Sequence, residues 1–176
     1  AFRRKHLGIF PAHILKQAQQ AIGIPPPAPT LAADATAEEK PAPWPIARLF
    51  EYYNVDMAHA HAVAKLSITL FDELLPIHHL TTEERALLET AALLHNIGLA
   101  SDPARHHTVG RDILLLHPPA ELTETEISVI ALTTLLHRKR MTAARLEELT
   151  RSSLYRGLPD SFRTPALVLA ALLRMA

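Results

Sequence analysis

Eleven histidines in a chain of 176 residues are the side chains with the clearest capacity for chemistry. They are scattered between His6 and His137, so an artificial tag does not account for them. An imidazole inside a protein has two ordinary roles, as a hydrogen-bonding group of the core or as a ligand of a divalent metal. Cysteine is absent, which excludes thiolate metal sites and disulfides. The position of each histidine along its helix therefore decides which of them are candidate ligands.

Three histidines, His59, His95 and His137, continue apolar stripes and are expected to point inward. Each has apolar neighbours at helical spacing, such as Val63 after His59, Ala91 before His95 and Ile130 before His137. His61 falls off the stripe of His59, and three other histidines occur at polar or Pro-flanked turns. The histidines that we expect on the surface are His61, His78, His79 and His117.

Helix ends could bring the inward histidines to one point. His106 and His107 lie where a short loop meets the next predicted helix, so one of them could join His59, His95 and His137. Several imidazoles around one point suit a divalent metal. Satisfied hydrogen bonds in the core are the alternative explanation for each histidine taken alone.

Apolar residues recur at helical spacing from Ile46 onward, without the alternation or glycine-rich turns that a sheet requires. The sequence therefore predicts an all-α domain. Thr123 and Glu126 have the spacing of a capping box, and Gly98 is predicted to end its helix in a left-handed conformation. The predicted helices are Ile46 to Tyr53, Met57 to Leu75, Thr82 to His95, His107 to Leu116, Glu124 to Arg138, Ala143 to Leu149 and Pro165 to Ala176.

The N-terminal part of the chain has a different composition. Residues 1–23 are predicted to contain a short helical segment, which a run of prolines from Pro25 to Pro29 stops. Residues 24–45 are rich in Pro and Ala and are expected to form a linker or an extended arm. Trp44 is the one residue of this arm with a reason to dock. The domain itself is predicted to span residues 46–176.

Overall charge and composition exclude several classes of function. Eighteen basic residues balance eighteen acidic ones, so no overall field draws the chain to nucleic acid or an anionic membrane. The apolar runs are too short to span a bilayer, and the cytoplasm is the default expectation for location. The chain has only five glycines, and none lies in a Walker or dinucleotide-binding arrangement.

Several short segments match known motifs, in order along the chain. Ala92 to Gly98 resembles the "A-x-L-H-D-I-G" core of the HD phosphohydrolase superfamily, and His59 to Ala64 resembles its upstream "H-x-x-x-V-A" helix. Further matching elements are Tyr53 to Asp56, Leu70-Phe71-Asp72, His106-His107 and His137-Arg138-Lys139. Together they resemble the C-terminal domain of the exopolyphosphatase/guanosine pentaphosphate phosphatase (Ppx/GppA) family. The resemblance implies an HD-domain helical bundle, here with an N-terminal helix and a Pro/Ala-rich arm.

The resemblance also implies a divalent metal, which could be Mn, Fe, Mg, Ni or Zn. The metal ligands that it implies in this sequence are His59, His95, Asn96, His107 and His137. Asn96 departs from the HD pattern, because it offers a neutral carbonyl oxygen where HD enzymes have a carboxylate. A distant aspartate ligand is expected directly after Ala176, so the resemblance predicts a domain truncated at its C-terminus.

Two functions follow from the resemblance. The first is a metal-dependent phosphohydrolase acting on a phosphate ester or anhydride, such as a nucleotide or polyphosphate, with Asn96, Arg138 and Lys139 at the reacting centre. Arg105 and Arg111 are nearby in sequence and are further candidates to neutralise phosphate. The alternative is a non-catalytic HD-like regulatory or dimerisation module, which Asn96 favours because it weakens metal binding. The family resemblance makes a homodimer the expected assembly.

Overall fold

The structure, a computed structural model, describes residues 43–138 and 140–176. The predicted helical segment of residues 1–23, all but the last three residues of the arm, and Lys139 lie outside the described residues. Within the described part there is no β-strand, and the prediction of an all-α domain is confirmed. The helices are α1 Ile46–Tyr52, α2 Met57–Glu73, α3 Leu75–His78, α4 Thr82–Leu94, α5 His106–Leu116, α6 Glu124–Leu136, α7 Ala143–Arg151, α8 Ser153–Gly157 and α9 Asp160–Met175.

The last helix begins earlier than the sequence predicted. The predicted start at Pro165 is wrong, because α9 begins at Asp160 and Pro165 lies inside it. A proline this close to a helix start removes one backbone hydrogen bond, while its ring is buried in the core. The carboxylate of Asp160 lies 2.6 Å from the guanidinium of Arg163, and an acidic residue in the first turn favours the helix dipole.

Two of the central helices begin with capping boxes. At the start of α6 the backbone N–H of Thr123 donates to Glu126 Oε2 at 2.7 Å, and the N–H of Glu126 donates to Thr123 Oγ1 at 3.3 Å. The predicted capping box is therefore confirmed. Helix α4 begins in the same way at Thr81, whose N–H donates to Glu84 Oε2. Local hydrogen bonds thus fix the starts of the two helices whose other ends lead into His95 and His137.

Helix α6 is the centre of the bundle and packs against α4, α5 and α9. A helix that is apolar on nearly every side belongs in the interior of a domain. Its buried residues are Ile127, Val129, Ile130, Ala131, Leu132, Thr133 and Thr134. Neither α6 nor any other described helix combines the length and the hydropathy needed to cross a membrane. Because α4, α5 and α9 share α6 as a neighbour, their ends are held in fixed relation to one another.

Trp44 docks against the domain, as the sequence predicted, and its contacts are with the loop between α5 and α6. Its indole stacks on the His117 ring with centroids 4.0 Å apart, and its backbone N–H donates to the carbonyl oxygen of Pro118 at 2.8 Å. Arg48 lies on α1, and its guanidinium carbon is 3.9 Å from the centroid of the Trp44 indole. Stacking and cation–π contacts of this kind hold the last residues of the arm against the domain.

Candidate functional site

Four histidines line one cavity of about 480 Å³, which we call the histidine pocket. His95 and His137 directly follow the last residues of α4 and α6. His106 is the first residue of α5, and His59 lies in the first turn of α2. Two helices therefore end and two begin at this cavity, which explains how histidines far apart in sequence come together.

The histidine rings contact one another in a row. The ring centroids of His59 and His95 are 5.3 Å apart, those of His95 and His137 are 5.5 Å apart, and those of His137 and His106 are 5.4 Å apart. His95, His106 and His137 are buried, with 6 to 8% of their surface exposed. The prediction that His59 points inward is wrong, because His59 lines the pocket but is exposed to solvent. The row therefore runs from the domain interior to its surface.

Backbone hydrogen bonds set the orientation of the two central rings. The Nδ1–H of His95 donates to the carbonyl oxygen of Ala92 at 2.6 Å, and the Nδ1–H of His137 donates to that of Thr134 at 2.6 Å. A carbonyl oxygen only accepts hydrogen bonds, so Nδ1 must carry the proton in both rings. In a neutral imidazole, Nε2 is then an acceptor with a free lone pair. A backbone carbonyl in this position is a usual partner of a metal-binding histidine.

Burial keeps both central histidines uncharged. The pKa of His137 is lowered to about 4, mainly by burial and also by the neighbouring His95, His106 and His107, against the opposing effect of the hydrogen bond to Thr134. Burial is also the main cause that lowers the pKa of His95 below its ordinary value of 6.5. Both imidazoles are therefore neutral at pH 7, which is the form that binds a metal or accepts a proton.

Two arginines and an amide complete the wall of the histidine pocket. Asn96 is half-buried, and Arg138 and Arg174 are exposed. Arg138 Nη1 donates to the carbonyl oxygens of Pro103 at 3.4 Å and Ala104 at 3.3 Å, which ties the end of α6 to the loop before α5. Among the described residues that line this pocket there is no Asp or Glu. Two guanidinium groups, with no Asp or Glu among the described lining residues, make an electrostatic environment suited to an anion.

The pKa shifts predict how the stability of the metal-free protein depends on pH. The folded-state pKa of His137 lies below its unfolded value of 6.5, so the unfolded chain binds the proton more tightly. The stability that this histidine contributes is fully present above pH 6.5 and is lost as the pH falls toward 4. The expected loss is on the order of 2–3 kcal/mol. Urea unfolding measured at intervals between pH 7.5 and 4.5 checks this.

The His137→Gln variant isolates that contribution. It should show a flatter dependence of stability on pH than the natural sequence does over the same range. The same exchange at His79, which is exposed and lies outside the histidine pocket, is the matched control. If the His137→Gln protein loses stability with acid as steeply as the natural one, burial of His137 is not the cause.

The fit of the pocket to a divalent metal is good in donor type and incomplete in geometry. Neutral Nε2 atoms and the carbonyl oxygen of Asn96 are ligands that such metals accept. In the described part of the chain, however, no group of three or more His, Asp or Glu side chains is arranged to hold a metal ion. The rings stand in a row rather than around one point. His59 is exposed, so rotation of its side chain is the simplest movement that would bring its imidazole toward one point shared with those of His95 and His137.

The structure separates the residues that the sequence grouped together. His59, His95, Asn96, His137 and Arg138 all line the histidine pocket. Three further candidates lie elsewhere: His107 lines a second cavity next to Thr108, Arg105 pairs with Asp102, and Arg111 pairs with Asp112. The assignment of His107 as a metal ligand stays a prediction, and His106 is the neighbour that lines the histidine pocket.

Arg174 is a pocket residue that the sequence did not single out. It lies in the last turn of α9, two residues after buried Leu172 and next to Leu173, which lines the pocket wall. An arginine in the last turn of an amphipathic helix is common, so its residue type alone does not indicate that Arg174 lines a pocket. Only the packing of α9 against α2 and α4 reveals that it faces the histidines.

The four histidines expected on the surface divide into two kinds. His61 and His79 are exposed, as predicted. His78 and His117 are half-buried and form structural contacts, which corrects the prediction for them. His78 Nε2 donates to the carbonyl oxygen of Phe71 at 2.9 Å, while its Nδ1 accepts from the N–H of Leu80 at 3.0 Å. His117 lies in a bend, whereas His78 is the last residue of α3, and contacts with Trp44 and Phe71 cover the two rings.

Gly98 lets the loop after α4 lie directly against the backbone of α5. A Cβ atom at Gly98 would lie 2.4 Å from the carbonyl oxygen of His106 and 2.7 Å from the N of Gly110. Its φ is not in the left-handed region, so the predicted left-handed helix end is wrong. Glycine is needed here because the loop after α4 contacts the backbone of α5 directly. That contact places His106 beside the histidines that follow α4 and α6.

Comparison with the sequence models of protein families gives a match. The sequence model of a protein family, described as Ppx/GppA phosphatase, domain III, matches residues 45–176. These residues comprise the whole of the helical domain described above, including every residue of the histidine pocket. No protein among the curated ones matches the chain.

Proposed function

The chain belongs to the Ppx/GppA phosphatase family, as its domain III, and from this premise we propose that the histidine pocket is a metal-dependent phosphohydrolase site of the HD type. Its substrate is a phosphate ester or anhydride, such as a nucleotide or polyphosphate. The observation that carries the proposal is the lining of one pocket by four imidazoles, of which the two central ones are neutral, and by two arginines, with no Asp or Glu among the described lining residues. Phosphoryl groups need this combination of positive charge and uncharged metal donors.

Each group in the pocket has a distinct role in the proposed site. His59, His95 and His137 hold the metal, with His106 beside His137 as a further donor. When bound, a divalent metal supplies Lewis-acid polarisation of a phosphoryl oxygen and lowers the pKa of water. Lys139, proposed from the sequence beside Arg138, belongs to the same segment but lies outside the described residues.

The remaining groups orient the reactants. Arg138 and Arg174 bind the non-reacting phosphoryl oxygens through charge-assisted hydrogen bonds. The carbonyl oxygen of Asn96 is a neutral donor to the metal, and its second lone pair accepts a hydrogen bond from the attacking water. A neutral amide positions that water less firmly than a carboxylate does, so hydrolysis at this site is slow by the standards of HD enzymes.

Metal content tests the proposal directly. After incubation with Mn, Fe, Mg, Ni or Zn and removal of the excess, elemental mass spectrometry should find near-stoichiometric metal in the natural protein. The His95→Gln variant should lose at least about 10–100-fold in metal affinity, because a central donor is removed. His79→Gln is the matched control, since His79 is exposed and does not line the pocket. Equal metal content in all three proteins would contradict the proposal.

One observation favours a second function. With Asn96 in place of the aspartate of HD enzymes, the pocket is suited to bind an anion through Arg138 and Arg174 without metal. The domain would then be a non-catalytic regulatory or dimerisation module, and a homodimer is the proposed assembly. Protein that retains no metal, yet binds tripolyphosphate in the presence of EDTA, would support this alternative. Sedimentation in the same buffers would show whether the dimer forms.

A further inference from the structure

A second cavity, of about 540 Å³, lies between α5, α6, α7 and α8; we call it the leucine cavity. Consecutive residues divide it from the histidine pocket. His106 and His137 line the histidine pocket, whereas His107 and Leu136 line the leucine cavity. Its volume is within the range of about 300–1,000 Å³ that is usual for cavities that bind small molecules. The leucine cavity is therefore a separate space of a size suited to a ligand.

Apolar side chains form much of the wall of the leucine cavity. They are Leu115, Leu135, Leu136, Met141, Leu149 and Leu154. Leu115 and Met141 are 41% and 36% exposed, so part of this apolar wall is open to water. Covering such a wall with an apolar group is favourable, because it removes that surface from water.

The charged residues that the structure describes in the lining of the leucine cavity are balanced, with two arginines, one aspartate and one glutamate. Arg111 and Asp112 pair with each other at 2.6 Å, which neutralises both. Arg145 and Glu148 lie three residues apart on α7 and therefore share one face of that helix. Arg145 Nη1 donates to the carbonyl oxygen of Arg140 at 3.2 Å, and within the described residues neither Arg145 nor Glu148 has an oppositely charged partner.

This lining decides the charge of the ligand. An anion would pair with Arg145 but lie close to Glu148, which repels it, and a cation would pair with Glu148 but lie close to Arg145. We propose that the leucine cavity binds a small zwitterion with an apolar body, namely an apolar amino acid or a short apolar peptide. Arg145 binds its carboxylate, Glu148 binds its ammonium group, and the leucine side chains cover its apolar part. This inference is independent of metal binding in the histidine pocket.

Isothermal titration of the whole chain with L-leucine and with the dipeptide Leu-Leu tests the inference. At least one of them is expected to bind with a Kd of about 1 mM or tighter. The tighter of the two identifies the source as a free amino acid or a peptide. N-acetyl-L-leucine amide has the same side chain without either charge, and should bind at least about tenfold more weakly.

Variants of α7 locate the binding. Arg145→Gln and Glu148→Gln should each weaken binding about tenfold or more, because each leaves one ligand charge without its partner. Both side chains are exposed, so these exchanges leave the core intact. The matched control is Arg151→Gln on the same helix, where Arg151 pairs with Glu147 outside the cavity. This control should bind as the natural sequence does.

A methyl signal gives a second readout. The ligand should shift the NMR resonance of the Met141 methyl group, which lines the leucine cavity, and leave that of Met175 in α9 in place. The inference is overturned by the absence of binding up to about 10 mM. Equal binding of the uncharged amide, full binding by both α7 variants, or a shift of Met175 in place of Met141 would overturn it as well.

Discussion

Exchanging Asn96 for aspartate is expected to raise the affinity of the histidine pocket for a divalent metal by about 10–100-fold. The exchange preserves the size of the side chain and places a carboxylate next to His95, in a pocket whose described lining has two arginines and no acid. A carboxylate is a charged oxygen donor, whereas the amide offers only a neutral carbonyl oxygen. Competition titration with Mn²⁺ or Zn²⁺ measures the affinity. Hydrolysis of p-nitrophenyl phosphate by the metal-loaded protein should increase with it.

The other asparagine of the chain supplies the control. Asn54 is exposed and lies in the loop between α1 and α2, outside the histidine pocket, so Asn54→Asp makes the same chemical change without a donor at the site. If the Asn96→Asp protein binds metal no better than the Asn54→Asp protein does, residue 96 is not a ligand. That outcome, together with tripolyphosphate binding in EDTA, would favour the non-catalytic module.

Replacing Gly98 by alanine is expected to lower the free energy of unfolding by about 2–3 kcal/mol, as overpacking of a core does. The added Cβ would lie 2.4 Å from the carbonyl oxygen of His106 and 2.7 Å from the N of Gly110, so the first turn of α5 must shift. Both obstructing atoms belong to the backbone, which cannot rotate away as a side chain can. For a chain of this length, the change corresponds to a melting temperature about 5–10 °C lower.

Gly157→Ala is the matched control for this prediction. Gly157 ends α8, and a Cβ there would have no atom within 4 Å. Its melting temperature should therefore stay at or slightly above that of the natural protein. A Gly98→Ala protein as stable as the Gly157→Ala protein would show that the approach of α5 to this loop is looser than the structure has it. Because the shift displaces His106, the Gly98→Ala protein should also bind metal more weakly.

The sequence by itself determined the longer helices and much of the pocket, but not the short α3 and α8. Helix positions follow from side chains three and four residues apart, and the capping box of Thr123 and Glu126 closes within one turn; both are local, so periodicity predicts them. The motif around His95 and Asn96 likewise pointed to the family, and His59, His95 and His137 do lie together. The start of α9 at Asp160 was not predicted. A proline favours the first turn of a helix, but Pro165 lies inside α9, where its ring is buried.

Tertiary structure alone decided which neighbours face the site. His106 and His107 are adjacent and identical in type, and only the rotation of α5 about its axis sends one to the histidine pocket and the other to the leucine cavity. Arg174 lines the pocket because α9 packs against α2 and α4, which precede it by many residues in the sequence. Gly98 was identified from its motif. Glycine is required there because the backbone of α5 leaves no room for a Cβ atom, and not because of a left-handed φ. Such relations depend on the direction in which each helix crosses its neighbours, which local spacing in one sequence does not encode.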